Sequence, residues 1–222
     1  MLKIFIGYDL RETVAYHVCA NSIIRHASCP IALIPLALNL LKDYKESHGD
    51  GSNDFIYSRF LVPHMMDFCG WGIFIDGDMI LRTDILELWN MRDESKAVMC
   101  VKHDYKTSAN IKYLGSRNED YPRKNWSSVV MWNCGHPANR ILTPEYVECS
   151  TGAHLHRFSW ISDDLIGGLP IAWNWLPDEF GVNDSSKLLH WTLGTPCFEA
   201  YANSPMSAEW HKEHSLVNYS EL

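Results

Sequence analysis

No two of the seven cysteines (Cys19, Cys29, Cys69, Cys100, Cys134, Cys149 and Cys197) stand in a Cys-x-x-Cys pair, and their number is odd. That spacing argues against a zinc ribbon or a disulfide framework and leaves reduced core thiols of a cytosolic protein as the expectation. No apolar run approaches the roughly 18 residues that cross a bilayer, and the opening stretch to Gly7 reads as a strand without the basic region of a signal peptide. A cytoplasmic location is therefore expected, although a peripheral membrane contact would leave little trace in such a sequence. Positive charge is scarce: 19 Lys and Arg against 27 Asp and Glu give a net charge of -8. A chain so acidic is a poor match for nucleic acid or an anionic membrane, both of which require cationic surfaces. Local phosphate binding remains open where a metal ion carries the charge. Gly-x-Ser-x-Gly, His-Glu-x-x-His and Gly-x-x-x-x-Gly-Lys are all missing, which removes several large enzyme classes. Nothing in the sequence reports oligomeric state.

What is present is an ordinary globular composition, 46% hydrophobic and 21% charged over 222 residues, enough for one domain with a small subdomain. Leu2 to Gly7 reads as a strand broken by Gly7-Tyr8-Asp9, and a helical spacing follows through Val14, Val18, Cys19 and Ile23 to Cys29-Pro30. Residues 31–38 form a second strand candidate, which Pro35 places near an edge. Residues 55–68 read as a helix, 71–75 and 97–101 as strands, 129–132 and 188–191 as short strands, and 144–149 as a short helix. This alternation predicts an α/β, mostly parallel sheet flanked by helices. Residues 103–124 are polar and aromatic-spotted, a loop long enough to imply a purpose. Ser162-Asp163-Asp164 suits a helix start, and residues from Ser204 onward offer no partner and read as a loosely packed tail, 204–222.

The chemistry concentrates at Ile73-Phe74-Ile75-Asp76-Gly77-Asp78, an apolar run ending in two carboxylates. A strand buried on both faces would deliver them to its carboxyl end, where ligands collect in open α/β sheets. Two carboxylates about 4 Å apart repel by roughly 4 kcal/mol at an effective dielectric near 20, so a hard divalent cation between them is the natural complement. Asp76-Gly77 also suits a plain turn, but a turn needs only one aspartate. Three features are candidates to complete the site: His190, Asp163 with Asp164, and Arg59. Each has an ordinary alternative, as a structural histidine, a helix N-terminus and a surface cation.

The ordered motifs resemble the GT-A glycosyltransferases, most closely the metal-dependent, retaining enzymes of glycosyltransferase family 8. Ile6-Gly7-Tyr8-Asp9 is similar to the family's base-holding loop, Tyr57-Ser58-Arg59-Phe60 to its arginine-bearing helix, and Phe74-Ile75-Asp76-Gly77-Asp78 with Leu86 and Trp89 to its Asp-x-Asp strand. The segments beginning at Trp126, Ser162 and Trp173 match later family motifs. His190-Trp191-Thr192-Leu193-Gly194-Thr195-Pro196 looks like the metal and phosphate segment, with its glycine one place late and its lysine missing. The resemblance implies a GT-A, Rossmann-like mixed sheet with a small C-terminal subdomain, a catalytic unit over 1–203 divided near residue 101 into nucleotide and acceptor parts. It implies Mn²⁺ or Mg²⁺ on Asp76, Asp78 and His190. A nucleotide-diphosphate sugar, UDP-linked by expectation, would be held by Gly7, Tyr8, Asp9, Arg59, Asp76, Gly77, Asp78 and Gly194. Asp163 or Asp164 would lie near the anomeric carbon, with the choice between them open, and a glycan, a lipid-linked saccharide or a protein would accept the sugar beneath the 103–124 loop. Two rivals are a non-catalytic sugar-nucleotide or glycan-binding module and a haloacid-dehalogenase-like phosphatase, whose Asp-x-Asp normally sits near the start of the fold.

Overall fold

The computed structural model describes residues 1–112, 115 and 118–217; parts of the expected lid loop (113, 114, 116, 117) and the end of the expected tail (218–222) lie outside the described residues. Six strands form the main sheet: β1 (Leu2–Gly7), β2 (Ile31–Leu36), β3 (Trp71–Ile75), β5 (Val98–Val101), β6 (Val129–Asn133) and β7 (Ile166–Leu169). Their order is β2-β1-β3-β6-β5-β7. β3 is parallel to β1 and antiparallel to β6, and β5 is antiparallel to β6 and parallel to β7, so β6 alone is reversed. The mostly parallel α/β sheet expected from the sequence is present. Pro35 lies on the edge strand β2, opposite Ile6, where a missing N–H costs no interior ladder bond.

The apolar runs are explained by cover on both faces. Along β3, Phe74 enters one core layer with Phe5, Val130 and Trp132, while Ile73 and Ile75 enter the other with Ile4, Ile6 and Met131. Successive side chains alternate between faces, so a strand covered twice has no polar position to spare.

A second, two-stranded ribbon pairs β4 (Met79–Leu81) with β8 (Leu188–His190). It rests on α1 (Thr13–His26), where Ser22 Oγ accepts the Leu81 N–H at 2.9 Å and donates to the Cys19 carbonyl at 2.7 Å. Between the ribbon strands in sequence lie α3 (Ile85–Trp89), α4 (Pro144–Cys149), α5 (Gly152–His156) and α6 (Pro177–Phe180), which follow α2 (Val62–Met65).

Four expectations are corrected. The helix over 55–68 is a 3-10 turn at Ser58–Leu61 followed by α2, and it ends at the left-handed residues Asp67 and Phe68. Ser162-Asp163-Asp164 opens only a 3-10 turn, after which Ile166–Leu169 is strand β7. A Cβ on Gly167 would stand 2.8 Å from Met99 Cγ, so glycine is what lets β7 approach β5. The tail is not loose through Val217: α7 (Ser207–Val217) packs Trp210 into a cluster with Val18, Ile80, Leu189 and Trp191, and Glu213 pairs with Arg25 of α1. Finally, all seven cysteines are unpaired, but Cys69 and Cys149 are exposed rather than core.

Candidate active site

Beyond β3 the pairing with β6 continues for one residue, the Asp76 N–H donating to the Ser128 carbonyl at 3.0 Å. The chain then turns into β4 through Gly77-Asp78. A Cβ on Gly77 would lie 2.4 Å from the Gly7 carbonyl oxygen at the end of β1, so the residue between the aspartates must be glycine for the strand ends to close. The ribbon register sets Met79 opposite His190. That pairing carries the imidazole to the carboxylates: His190 Nε2 is 3.3 Å from Asp78 Oδ1 and 3.9 Å from Asp76 Oδ2. One ligand atom from each of Asp76, Asp78 and His190 lies within 4.8 Å of the others.

These residues fit a divalent cation. Asp78 Oδ1 is buried and accepts no hydrogen bond. Burial pushes the Asp76 carboxyl up to about 6 against the pull of Arg59, and the neighbouring Asp78 adds to the rise; a cation between the two would relieve both effects. His190 Nδ1–H donates to Asn174 Oδ1 at 2.9 Å, and the Asn174 amide is oriented by Nδ2–H donating to the Asn125 carbonyl at 3.2 Å. With its proton on Nδ1, the ring turns the Nε2 lone pair toward the aspartates, as a metal-binding histidine requires. Sequence reasoning assigned Asn174 no role. It stands between two tryptophans in a segment that lies along β8: Trp175 N–H donates to the Leu188 carbonyl at 2.9 Å and His190 N–H to the Trp175 carbonyl at 2.8 Å.

Arg59 is no surface cation. Its side chain is 5% exposed and Nη1 sits 2.8 Å from Asp76 Oδ1. Nη1 also donates to the Ser127 carbonyl at 3.0 Å, and the guanidinium lies over the Phe74 and Phe55 rings, 4.9 and 5.4 Å from their centroids. The cavity in front, about 60 Å³, is lined by Arg59, Asp76, Asp78, His190, Lys112 and Thr192 among others, and it adjoins one of about 530 Å³ through Ser52, Ile56, Lys112, Tyr121 and His156. The loop over 103–124 contributes Lys112, Glu119 and Tyr121 to these walls. Burial lowers the proton affinity of Lys112, which Asp78 and Asp76 partly restore. His156 accepts a 2.7 Å contact from Ser127 Oγ at Nδ1, and burial pushes it down to about 3, so it is neutral.

The other expected site residues fall differently. A Cβ on Gly7 would meet the Phe55 ring at 2.4 Å, and one on Gly194 the Tyr201 ring at 2.4 Å; both glycines are explained by packing. Tyr8 stacks edge-on against Tyr16. Asp9 is buried and accepts from Arg11 N–H at 2.8 Å, Arg11 Nε at 2.9 Å and Asp54 N–H at 3.1 Å, an anchor for the loop over the β1 end. Asp163 and Asp164 are not brought to the cluster. They precede β7, which runs parallel to β3, and so lie at the amino ends of the parallel strands, whereas Asp76 follows the carboxyl end of β3. The Asp163 side chain is 81% exposed and pairs with Arg123, while the Asp164 carbonyl accepts from Lys96 Nζ at 2.9 Å.

No protein-family model matches the chain. Among curated proteins, Protein CDI from Arabidopsis thaliana is 41% identical over 225 residues, which is 97% of this chain and 87% of that protein. The solved structure of the bifunctional glycosyltransferase WbbM in its apo form superposes with a TM-score of 0.64 at 14% identity, over 96% of this chain; the chain spans about half, 51%, of WbbM's length. The galactosyltransferase LgtC, crystallised with donor and acceptor sugar analogs, gives a TM-score of 0.63 at 11% identity over 99% of this chain and 98% of its own. The fold is GT-A. Among the described residues, no helix is long and apolar enough to cross a membrane.

Proposed function

This chain belongs to the family of Protein CDI from Arabidopsis thaliana, and on its GT-A fold we propose that it is a metal-dependent glycosyltransferase. It would move a sugar from a nucleoside-diphosphate sugar, UDP-linked, to a glycan-type acceptor, with the retention that the family-8 resemblance implies. The observation that carries this reading is the Asp76, Asp78 and His190 cluster at the carboxyl end of β3. Two carboxylates and one imidazole nitrogen suit Mn²⁺ better than Mg²⁺, which favours an all-oxygen shell. The ion, when bound, supplies Lewis-acid stabilisation of the departing diphosphate.

The protein's own groups prepare that departure. Asn174 fixes the His190 tautomer, so the ring needs no reorganisation to ligate. Arg59 is clamped by backbone carbonyls and aromatic faces beside Asp76, a preorganised cation where negative charge grows as the glycosidic bond breaks. The wider cavity beneath the 103–124 loop is the place for sugar and acceptor, with Asp50 and Glu119 among its walls.

A second reading, nucleotide-sugar binding without turnover, draws support from the position of Asp163 and Asp164 outside the site. One assay separates the two. Release of nucleoside diphosphate from UDP-sugars is followed with Mn²⁺ for the wild type, Asp76→Asn and Asp78→Asn. Turnover that falls by about 100-fold or more in the variants supports transfer. Unchanged turnover refutes it, and Mn²⁺-dependent binding with no turnover favours the second reading.

A further inference from the structure

The segment after His190 has no lysine, yet an ammonium does reach the site from elsewhere. Lys112 lines the same cavity as Arg59, Asp76, Asp78 and His190, and it also borders the adjoining one. The geometry points to Lys112 as a diphosphate-binding residue that replaces, from the 103–124 loop, the cation absent between His190 and Pro196. This rests on the nucleotide-sugar reading above.

Charge supplies the first argument. Among the described lining residues, the two carboxylates are matched by two cations, Arg59 and Lys112. Arg59 is committed to Asp76 and to backbone carbonyls. Two carboxylates, Arg59, a divalent ion and the roughly two negative charges of a nucleotide-sugar diphosphate leave the cavity at about -1 without a second cation, and Lys112 neutralises it; an uncompensated charge is costly at low effective dielectric. Lys112 is positioned where it answers both states, near the carboxylates before binding and near the phosphates after it.

Anchorage of the loop supplies the second. Glu179, just inside α6, accepts from Thr107 Oγ1 at 2.8 Å and Ser108 N–H at 2.9 Å. Asn118 N–H donates to the Asn110 carbonyl at 2.9 Å and its Nδ2 to the Ala109 carbonyl at 2.7 Å. Lys124 Nζ closes the loop base on Asn118 Oδ1 at 2.6 Å and the Glu119 carbonyl at 2.7 Å. Described residues before and after Lys112, 107–110 and 118–119, are therefore held by hydrogen bonds. Glu179 is a positioning residue in this scheme, since it acts on the ammonium only through the loop.

The test uses the full chain and three probes: Mn²⁺ alone, and inorganic pyrophosphate and UDP at saturating Mn²⁺, each by calorimetric titration. Lys112→Met is expected to weaken pyrophosphate and UDP at least tenfold, while Mn²⁺ alone binds as well as or better than in the wild type, because a neighbouring cation has gone. Lys112→Arg should recover most of the diphosphate affinity. Glu179→Gln should weaken UDP in the wild type and have little further effect in Lys112→Met, the non-additivity of two residues acting as one unit. Equal pyrophosphate and UDP affinity in wild type and Lys112→Met overturns the assignment and leaves the glycosyltransferase reading standing. A wild type that binds neither UDP nor a UDP-sugar with Mn²⁺ overturns that reading, and this one with it.

Discussion

Replacing Asn174 with alanine removes the group that holds His190 in its metal-binding tautomer without touching any proposed ligand. The amide is fully buried and makes two hydrogen bonds, from His190 Nδ1–H and to the Asn125 carbonyl. Losing both, and stranding the partners away from water, costs about 2–4 kcal/mol. For a chain of 222 residues that lowers Tm by roughly 4–15 °C. The metal effect is separate: loss of an outer-shell partner weakens metal binding by about 10–100-fold. The assay is a Mn²⁺ titration by calorimetry or electron paramagnetic resonance, run well below the variant's Tm so that only folded protein is counted. Asn174→Asp, which keeps an acceptor for Nδ1–H, should regain most of the Mn²⁺ affinity. If Asn174→Ala unfolds earlier yet binds Mn²⁺ within about twofold of the wild type, the reasoning that the amide prepares the ligand is refuted; the twofold limit is small beside the effect expected for an outer-shell residue.

Mn²⁺ binding should be acid-sensitive through Asp76. Burial raises this carboxyl to about 6 in the metal-free protein, so below that pH the ion must displace a proton, and affinity should fall by about tenfold per pH unit. The same raised value means the group favours the metal-free fold most at low pH, a contribution lost as pH rises through about 6; thermal scans from pH 5 to 7 with and without Mn²⁺ should therefore diverge upward in pH. Trp210→Ala should cost about 3–5 kcal/mol by emptying a buried site, and because Trp210 packs on Ile80, Leu189 and Trp191 of the ribbon region, Mn²⁺ affinity should drop with stability. A variant that loses stability with intact Mn²⁺ affinity would show that the ribbon holds its register without α7.

The parts of the fold that were legible in the sequence are those fixed by local period and full burial. Trp71–Ile75 has no polar residue because both faces are covered, and its limits match the strand. Asp76 and Asp78 follow directly, since a chain leaving a buried strand must place its first polar groups at the strand's end. β7 was hidden because Gly167-Gly168 signals a break locally, while the pairing that uses those glycines is with β5, far away in sequence. Asp163 and Asp164 were set near the sugar by the resemblance alone, whereas the pairing of β7 with β5 puts them at the start of a parallel strand, away from the end of β3 that carries Asp76. Asn174 and Lys112 were illegible, because one depends on a segment laid along β8 and the other on a loop folded back over the cavity.

The glycines carry a related lesson about function read from motifs. Gly77 and Gly194 both lie in segments that resemble ligand-binding motifs, and both are explained here by protein contacts, a carbonyl of β1 and the ring of Tyr201. Substituting either would injure activity through the position of its neighbours: Asp76 and Asp78 for the first, Thr192 in the cavity wall for the second. Loss of activity in such a variant is therefore no evidence of ligand contact. The discriminating measurements are those on Asp78 and Lys112, which line the cavity and whose replacement by Asn or Met removes charge with little change of shape. A site of this kind is defined by the charges it holds apart. The carboxylates are kept from relaxing by the ribbon and the strand ends; Arg59 answers Asp76, and Asp78 is left for a cation from the solvent or from the 103–124 loop.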